Sequence, residues 1–130
     1  MVLSGRQLVE SLRTQVNEIN TQQLHEIIEN NPQAIVIDIR EVAETNGGSL
    51  SNAVLIPRGV LEMKIDSDKS IKARFATLEE LTEQPVYLFC RSGARSVLSA
   101  LSLQSMGFKQ VYSVEGGYLA WQAAGYECTN

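Results

Sequence analysis

Pro85-Val-Tyr-Leu-Phe-Cys-Arg-Ser-Gly-Ala-Arg-Ser-Val-Leu-Ser-Ala-Leu-Ser-Leu-Gln-Ser-Met-Gly107 changes character twice within twenty-three residues. Val86 to Phe89 is an uninterrupted apolar run of strand-forming residues, the composition of a strand buried on both faces. Cys90 to Arg95 is short, small and basic. From about Arg95 to Met106, the apolar positions Val97, Leu98, Leu101 and Met106 predict a helix, and Gly107 ends it.

A strand, a tight loop and a helix N-terminus form a natural anion site, because unpaired amides converge there and the helix dipole adds partial positive charge. Cys90 is the first residue of that loop. Amides, the dipole, Arg91 and Arg95 are all expected to stabilise its thiolate. The spacing therefore points to a nucleophilic thiolate seated in a cradle for a small anion. A cysteine at a strand end is more often a small buried hydrophobe. Two arginines, a serine and a glycine within the next five residues favour the nucleophile. Of the two arginines, Arg91 is the better candidate for an ordinary solvated charge.

The 130 residues suit one domain, able to bury about two thirds of its unfolded surface. The net charge of -4 argues against a nucleic-acid partner. Cys90 and Cys128 make no disulfide framework, and with His25 as the lone histidine they make no zinc set. There is no apolar leader at the N-terminus and no stretch of membrane-spanning length, so no membrane association and a reducing, cytoplasmic setting are expected.

Residues 3–16 predict an amphipathic helix through Leu8, Leu12 and Val16, joined by Val9, packing on the periphery of the domain or forming an oligomer contact. Thr21 is the expected N-cap of a second helix through Leu24, Ile27 and Ile28, which Asn30-Asn31-Pro32 ends. His25 lies on it as a surface or half-buried side chain without chemistry. Ala34-Ile-Val-Ile-Asp-Ile39 is a second buried strand, with Asp38, Arg40 and Glu41 at its C-terminal end. Ligand sites of open parallel sheets lie beyond such ends, so Asp38 and Arg40 belong at the sheet edge that carries Cys90. There Asp38 is expected to be an ion-pair partner or loop anchor. Gly47-Gly48 marks a turn. Ala53-Val-Leu-Ile56 is a third apolar run, and Arg58 to Ile65 a short helix after it. Asp66 to Ser70 reads as a solvated loop, and Thr77-Leu-Glu-Glu80 as the start of a further helix. Gln110 to Val114 is the last strand, with a helix over about Tyr118 to Ala124, stopped by Gly125. Strands alternating with helices, without hairpin signals, predict an α/β fold with a mostly parallel sheet.

Four segments now stand out together: Val36-Ile-Asp-Ile-Arg-Glu41, Ala53-Val-Leu-Ile-Pro57, Cys90-Arg-Ser-Gly-Ala-Arg-Ser96 and Val114-Glu-Gly-Gly-Tyr-Leu-Ala-Trp121. In this order they resemble a single-domain rhodanese, a sulfurtransferase module. The resemblance covers about residues 19–127. Residues 1–130 are thus read as one rhodanese domain, with 1–18 a helical extension. The resemblance implies a five-stranded parallel sheet flanked by helices on both faces, a catalytic Cys90 that cycles through a persulfide, and a loop of Cys90, Arg91, Ser92, Gly93, Ala94 and Arg95. Asp38 and Arg40 match the family's acidic and basic pair. Arg58-Gly-Val-Leu-Glu62 resembles a segment that sits beside the active site in one rhodanese subgroup, which brings in Arg58 and, more remotely, Glu62. Ser96 is a further hydrogen-bond donor. Where the family usually shows Gly-His-Ile-x-Gly-Ala, this chain has Gly48-Ser49-Leu50-Ser51-Asn52-Ala53, so the loop there is expected to differ. Asn52 is the residue best able to replace a left-handed glycine.

The implied reaction moves sulfur from a small anionic donor such as thiosulfate or a persulfide to a thiol or protein acceptor, with no metal or organic cofactor. Two other readings compete. A Cys-dependent phosphatase or arsenate reductase needs five residues between Cys and Arg, whereas four, Arg91 to Ala94, separate Cys90 from Arg95. A non-enzymatic rhodanese-like binding module commonly lacks the cysteine, although a persulfide carrier serving one protein partner would retain it. Cys128 reads as an exposed, inert thiol, and Tyr118 and Trp121 as packing residues of the last helix.

Overall fold

The computed structural model describes residues 1–129. Its centre is a five-stranded, wholly parallel sheet of β1 (Asn17–Ile19), β2 (Ile35–Asp38), β3 (Val54–Leu55), β4 (Val86–Phe89) and β5 (Val111–Val114). The spatial order is β1-β5-β4-β2-β3, so β4 lies in the middle and Cys90 stands at its C-terminal end. Asp38 lies opposite Phe89 in the β2–β4 register, and the Ile39 N–H donates to the Phe89 carbonyl at 3.0 Å. β2 and β4 therefore end together, which sets Asp38 and Arg40 beside Cys90.

The central strands are buried on both faces, as continuous apolar runs require. Ile35, Ile37, Val86, Leu88 and Val111 point to one side, where α1 (Gly5–Leu12), α4 (Leu61–Lys64), α6 (Leu78–Thr82) and α7 (Arg95–Ser105) cover them. Val36, Tyr87, Phe89 and Val114 point to the other, under α2 (Thr21–Asn30) and α8 (Gly117–Ala123). Among the described residues no helix is long and apolar enough to cross a membrane.

Several local expectations are corrected. The N-terminal helix spans Gly5–Leu12 rather than 3–16, and a 3-10 turn, Arg13–Gln15, follows. Val16 is extended, and Asn17–Ile19 becomes the edge strand β1, which the sequence did not reveal. Its strand partner is β5, almost a hundred residues away, so no local pattern announces it. Val9 rather than Leu8 is the buried residue of α1. Asn20, not Thr21, caps α2: its side chain accepts from Gln23 N–H while the Gln23 amide oxygen accepts from Asn20 N–H, both at 2.8 Å. Two helices of one turn, α3 (Val42–Thr45) and α5 (Lys69–Lys72), occupy segments without helical periodicity. Their caps hold them: Glu44 on the Glu41 N–H, and Asp68 on the N–H groups of Ser70 and Ile71.

Candidate active site

The loop after β4 is shaped by two glycines. Gly93 has φ +96°, a left-handed geometry, and a Cβ there would stand 3.1 Å from the Gly116 nitrogen. Gly117 is packed more closely still, since a Cβ would lie 2.4 Å from the Cys90 carbonyl oxygen. With no side chain at 117, the first amides of α8 reach the loop: Tyr118 N–H donates to the Cys90 carbonyl at 2.8 Å and Leu119 N–H to that of Arg91 at 3.0 Å. The carbonyls at the start of the loop are thus held by α8. The Gly93 N–H turns inward and donates to Cys90 Sγ at 3.2 Å. Ala94, the residue before α7, supplies no side-chain cap, so the first turn of this eleven-residue helix opens onto the loop without one.

Cys90 is 1% exposed. Behind its sulfur lies a pair of buried hydroxyls. Ser96 Oγ is 3.6 Å from Sγ, and Ser113 Oγ is 2.7 Å from Ser96 Oγ. Ser113 contributes from β5, and either hydroxyl of the pair can donate to the other, while the Cys90 thiol donates to Ser96 Oγ.

Among the described residues, the charged groups around the loop include two ion-paired clamps and two arginines with no carboxylate partner. In the first clamp, Arg40 binds Asp38 through Nε and Nη2, with an Nη2–Oδ2 distance of 2.8 Å, and also donates to the Gly48 carbonyl at 2.7 Å. Both partners are buried. Ser49 Oγ donates to Asp38 Oδ2 at 2.7 Å, and the Arg40 guanidinium lies 4.0 Å from the centre of the Tyr118 ring. Ser49, which stands where the resembled family usually has a histidine, thus anchors Asp38 with a hydroxyl. Asn52 takes φ 66°, and Thr129, near the end of the chain, closes the loop through hydrogen bonds to the Ser49 backbone. In the second clamp, Arg95 donates twice to Glu44, at 2.8 Å each. Arg95 beside it, with the Glu41 N–H, holds the Glu44 carboxyl down at about 2 from its ordinary 4.5. The same hydrogen bonds raise the Arg95 pKa. Arg91 and Arg58 are exposed and have no carboxylate partner among the described residues. The Arg58 N–H donates to the Ile39 carbonyl at 2.9 Å, which fixes it on the same sheet edge, and Glu62 is half-buried.

The geometry brings together Cys90, Gly93, Ser96, Arg95, Asp38 and Arg40. It also adds three residues that sequence reasoning missed. Glu44 was signalled only by its spacing from Glu41. Ser113 was signalled only as a serine inside an otherwise apolar and aromatic strand. Gly117 was part of a quoted segment but had no role until its contact with Cys90 was visible. His25 stacks on Tyr126 with centroids 4.1 Å apart, away from this cluster, and Cys128 Sγ contacts the Tyr126 carbonyl. Burial pushes the Tyr118 phenol above its ordinary 10, helped by a hydrogen bond to Cys128. Among the described residues no group of three or more His, Cys, Asp or Glu side chains is arranged for a metal ion.

A parallel α/β sheet with a cysteine at the end of its central strand, cradled by the loop entering a helix, defines a class of fold and site. Within that class, the model of the rhodanese-like domain matches residues 20–124, and this chain belongs to that family. It is 36% identical over 109 residues to YtwF of Bacillus subtilis, a candidate sulfurtransferase, spanning 83% of this chain and 92% of that one. It is 27% identical over 110 residues to a sulfurtransferase of Allochromatium vinosum, spanning 85% and 92%. A solved structure from Rhodopseudomonas palustris, described as a possible tyrosine phosphatase, shares the fold with a TM-score of 0.82 at 23% identity, over 99% of this chain and 96% of that one.

Proposed function

We propose that this protein is a sulfurtransferase that carries sulfane sulfur on Cys90. The observation that supports it most is the Gly93 N–H donating to a buried Sγ at the mouth of an uncapped helix. The Cys90 thiolate attacks the outer sulfur of thiosulfate. The new S–S bond forms as the old one breaks, and sulfite leaves with the electron pair. The persulfide anion is stabilised by the loop amides and the α7 N-terminus. An acceptor nucleophile, cyanide or a thiolate, then takes the outer sulfur and returns Cys90 to the thiolate. Ser96, backed by Ser113, donates to the ionised inner sulfur whenever it is released. Arg91 and Arg58 supply positive field to the approaching anion, whereas Glu44 offsets much of the charge of Arg95. Arg95 then serves chiefly to hold α3 against the loop. Asp38 and Arg40 fix the end of β2 and the adjacent loop.

No metal or organic cofactor enters this scheme. The donor is a small sulfur anion, and the acceptor a thiol or a protein partner. The loop is one residue shorter than the phosphatase arrangement, so a ring of amides around a tetrahedral phosphate is disfavoured.

Intact mass after incubation with thiosulfate tests the proposal. Wild type is expected to gain the mass of one sulfur atom, reversibly with reductant, and Cys90→Ser to gain none while keeping its circular dichroism spectrum. Loading retained by Cys90→Ser, or no loading of folded wild type with a free thiol, would overturn it.

A further inference from the structure

The N-terminal helix α1 lies before the region matched by the family model, which begins at residue 20. It nevertheless forms one wall of a cleft whose other wall is the Cys90 loop. The cleft has a volume of about 660 Å³, within the usual range for a small-molecule site. Val9, Ala94 and Leu98 give it an apolar floor, and Arg6, Arg13, Ser92 and the carboxylate Glu10, which is paired with Arg13, line its polar side. Ser92 and Ala94 flank Gly93, whose N–H touches the reactive sulfur, so the cleft adjoins the loop where sulfur would be exchanged.

Its charges are not equivalent. Arg13 is held by Glu10 at 3.1 Å and by Glu18 at 2.6 Å. Arg95, at the inner end, is held by Glu44. Arg6 is exposed and has no carboxylate partner among the described residues. A ligand complementary to this cleft has an apolar body, one carboxylate for Arg6, and a polar end for Ser92. Thiosulfate, sulfite and cyanide are too small to span it. The geometry points to the cleft between α1 and the loop as the binding site for a small organic thiol bearing a carboxylate, the acceptor of the persulfide sulfur, with Arg6 setting its specificity. The acceptor role rests on the sulfurtransferase reading; the binding site does not.

The first measurement needs no reaction. The thioether 3-(methylthio)propanoate carries the carboxylate but cannot accept sulfur. Titrated into wild type, it is expected to shift the backbone amides of residues 5–13 and 92–98, and the shifts are expected to vanish in Arg6→Glu. Glutamate in the first turn suits the α1 dipole, so this variant should fold, and Arg6→Gln serves as the milder check. The second measurement compares sulfur release from the persulfide to 3-mercaptopropionate and to neutral 2-mercaptoethanol. Replacing attraction by repulsion at one exposed charge is expected to lower the carboxylate preference about tenfold. No clustered shifts, shifts elsewhere, or a preference that Arg6→Glu leaves unchanged would overturn the assignment. If wild type fails to load sulfur but the thioether shifts the cleft amides, the sulfurtransferase reading fails and the site stands.

Discussion

Glu44 joins two elements that sequence places fifty-one residues apart, and removing its charge should be measurable as a pH-dependent loss of stability. Its carboxyl sits near 2 in the folded protein against an ordinary 4.5. A depression of that size is worth at most about 3 kcal/mol at neutral pH. The side chains of Glu44 and Arg95 are 28% and 35% exposed, so solvent screening reduces the net contribution to about 1 kcal/mol. Because the folded carboxyl is the more acidic, the stabilisation is fully present above about pH 5. It declines as pH falls from 4.5, where the unfolded chain takes up the proton, towards 2, where the folded protein does. Glu44→Gln should therefore lower the thermal midpoint at pH 7 by roughly 3–5 °C for a domain of this size. The gap between the two proteins should shrink by more than half by pH 3. Thermal unfolding followed by circular dichroism from pH 7 to 3 makes the comparison. Equal midpoints at pH 7, or a gap that does not narrow with acid, would refute the clamp as an energetic link between α3 and the loop.

Asp38→Asn strips the partner from a guanidinium that is buried against Tyr118; a loss of about 3 kcal/mol in urea unfolding is expected, far more than for Glu44. Gly117→Ala forces a left-handed φ and places a methyl against the Cys90 carbonyl, so it should slow sulfur loading severely, measured as the rate of mass gain, even where the fold survives. Ser113→Ala leaves Ser96 without its buried partner, and should cost about 1–2 kcal/mol of stability and reduce the rate of alkylation of Cys90.

Much of the fold was readable because parallel strands buried on both faces are apolar without interruption. Ile35–Asp38 and Val86–Phe89 announce themselves in that way, as does the helix that Gly107 ends. The turn at Asn52 was also readable, since left-handed backbone is a local property of that residue. The edge strand Asn17–Ile19 was not, nor were the one-turn helices α3 and α5, because each is held by partners or caps rather than by periodicity.

By itself, then, the sequence determined an α/β chain with Cys90 at a strand end, followed by a helix N-terminus. Those properties are local and follow from residue type and spacing. Only the tertiary structure decided what the charges around Cys90 do. It paired Arg95 with Glu44, buried Arg40 on Asp38 with Ser49 as a third member, and left Arg91, Arg58 and Arg6 with no carboxylate partner among the described residues. It also placed Ser113 behind Ser96, Gly117 beneath the loop, and α1 across from it. Coulombic and hydrogen-bond energies depend on distance in space and on burial, and neither can be counted along a chain until the sheet order brings its strand ends to one edge.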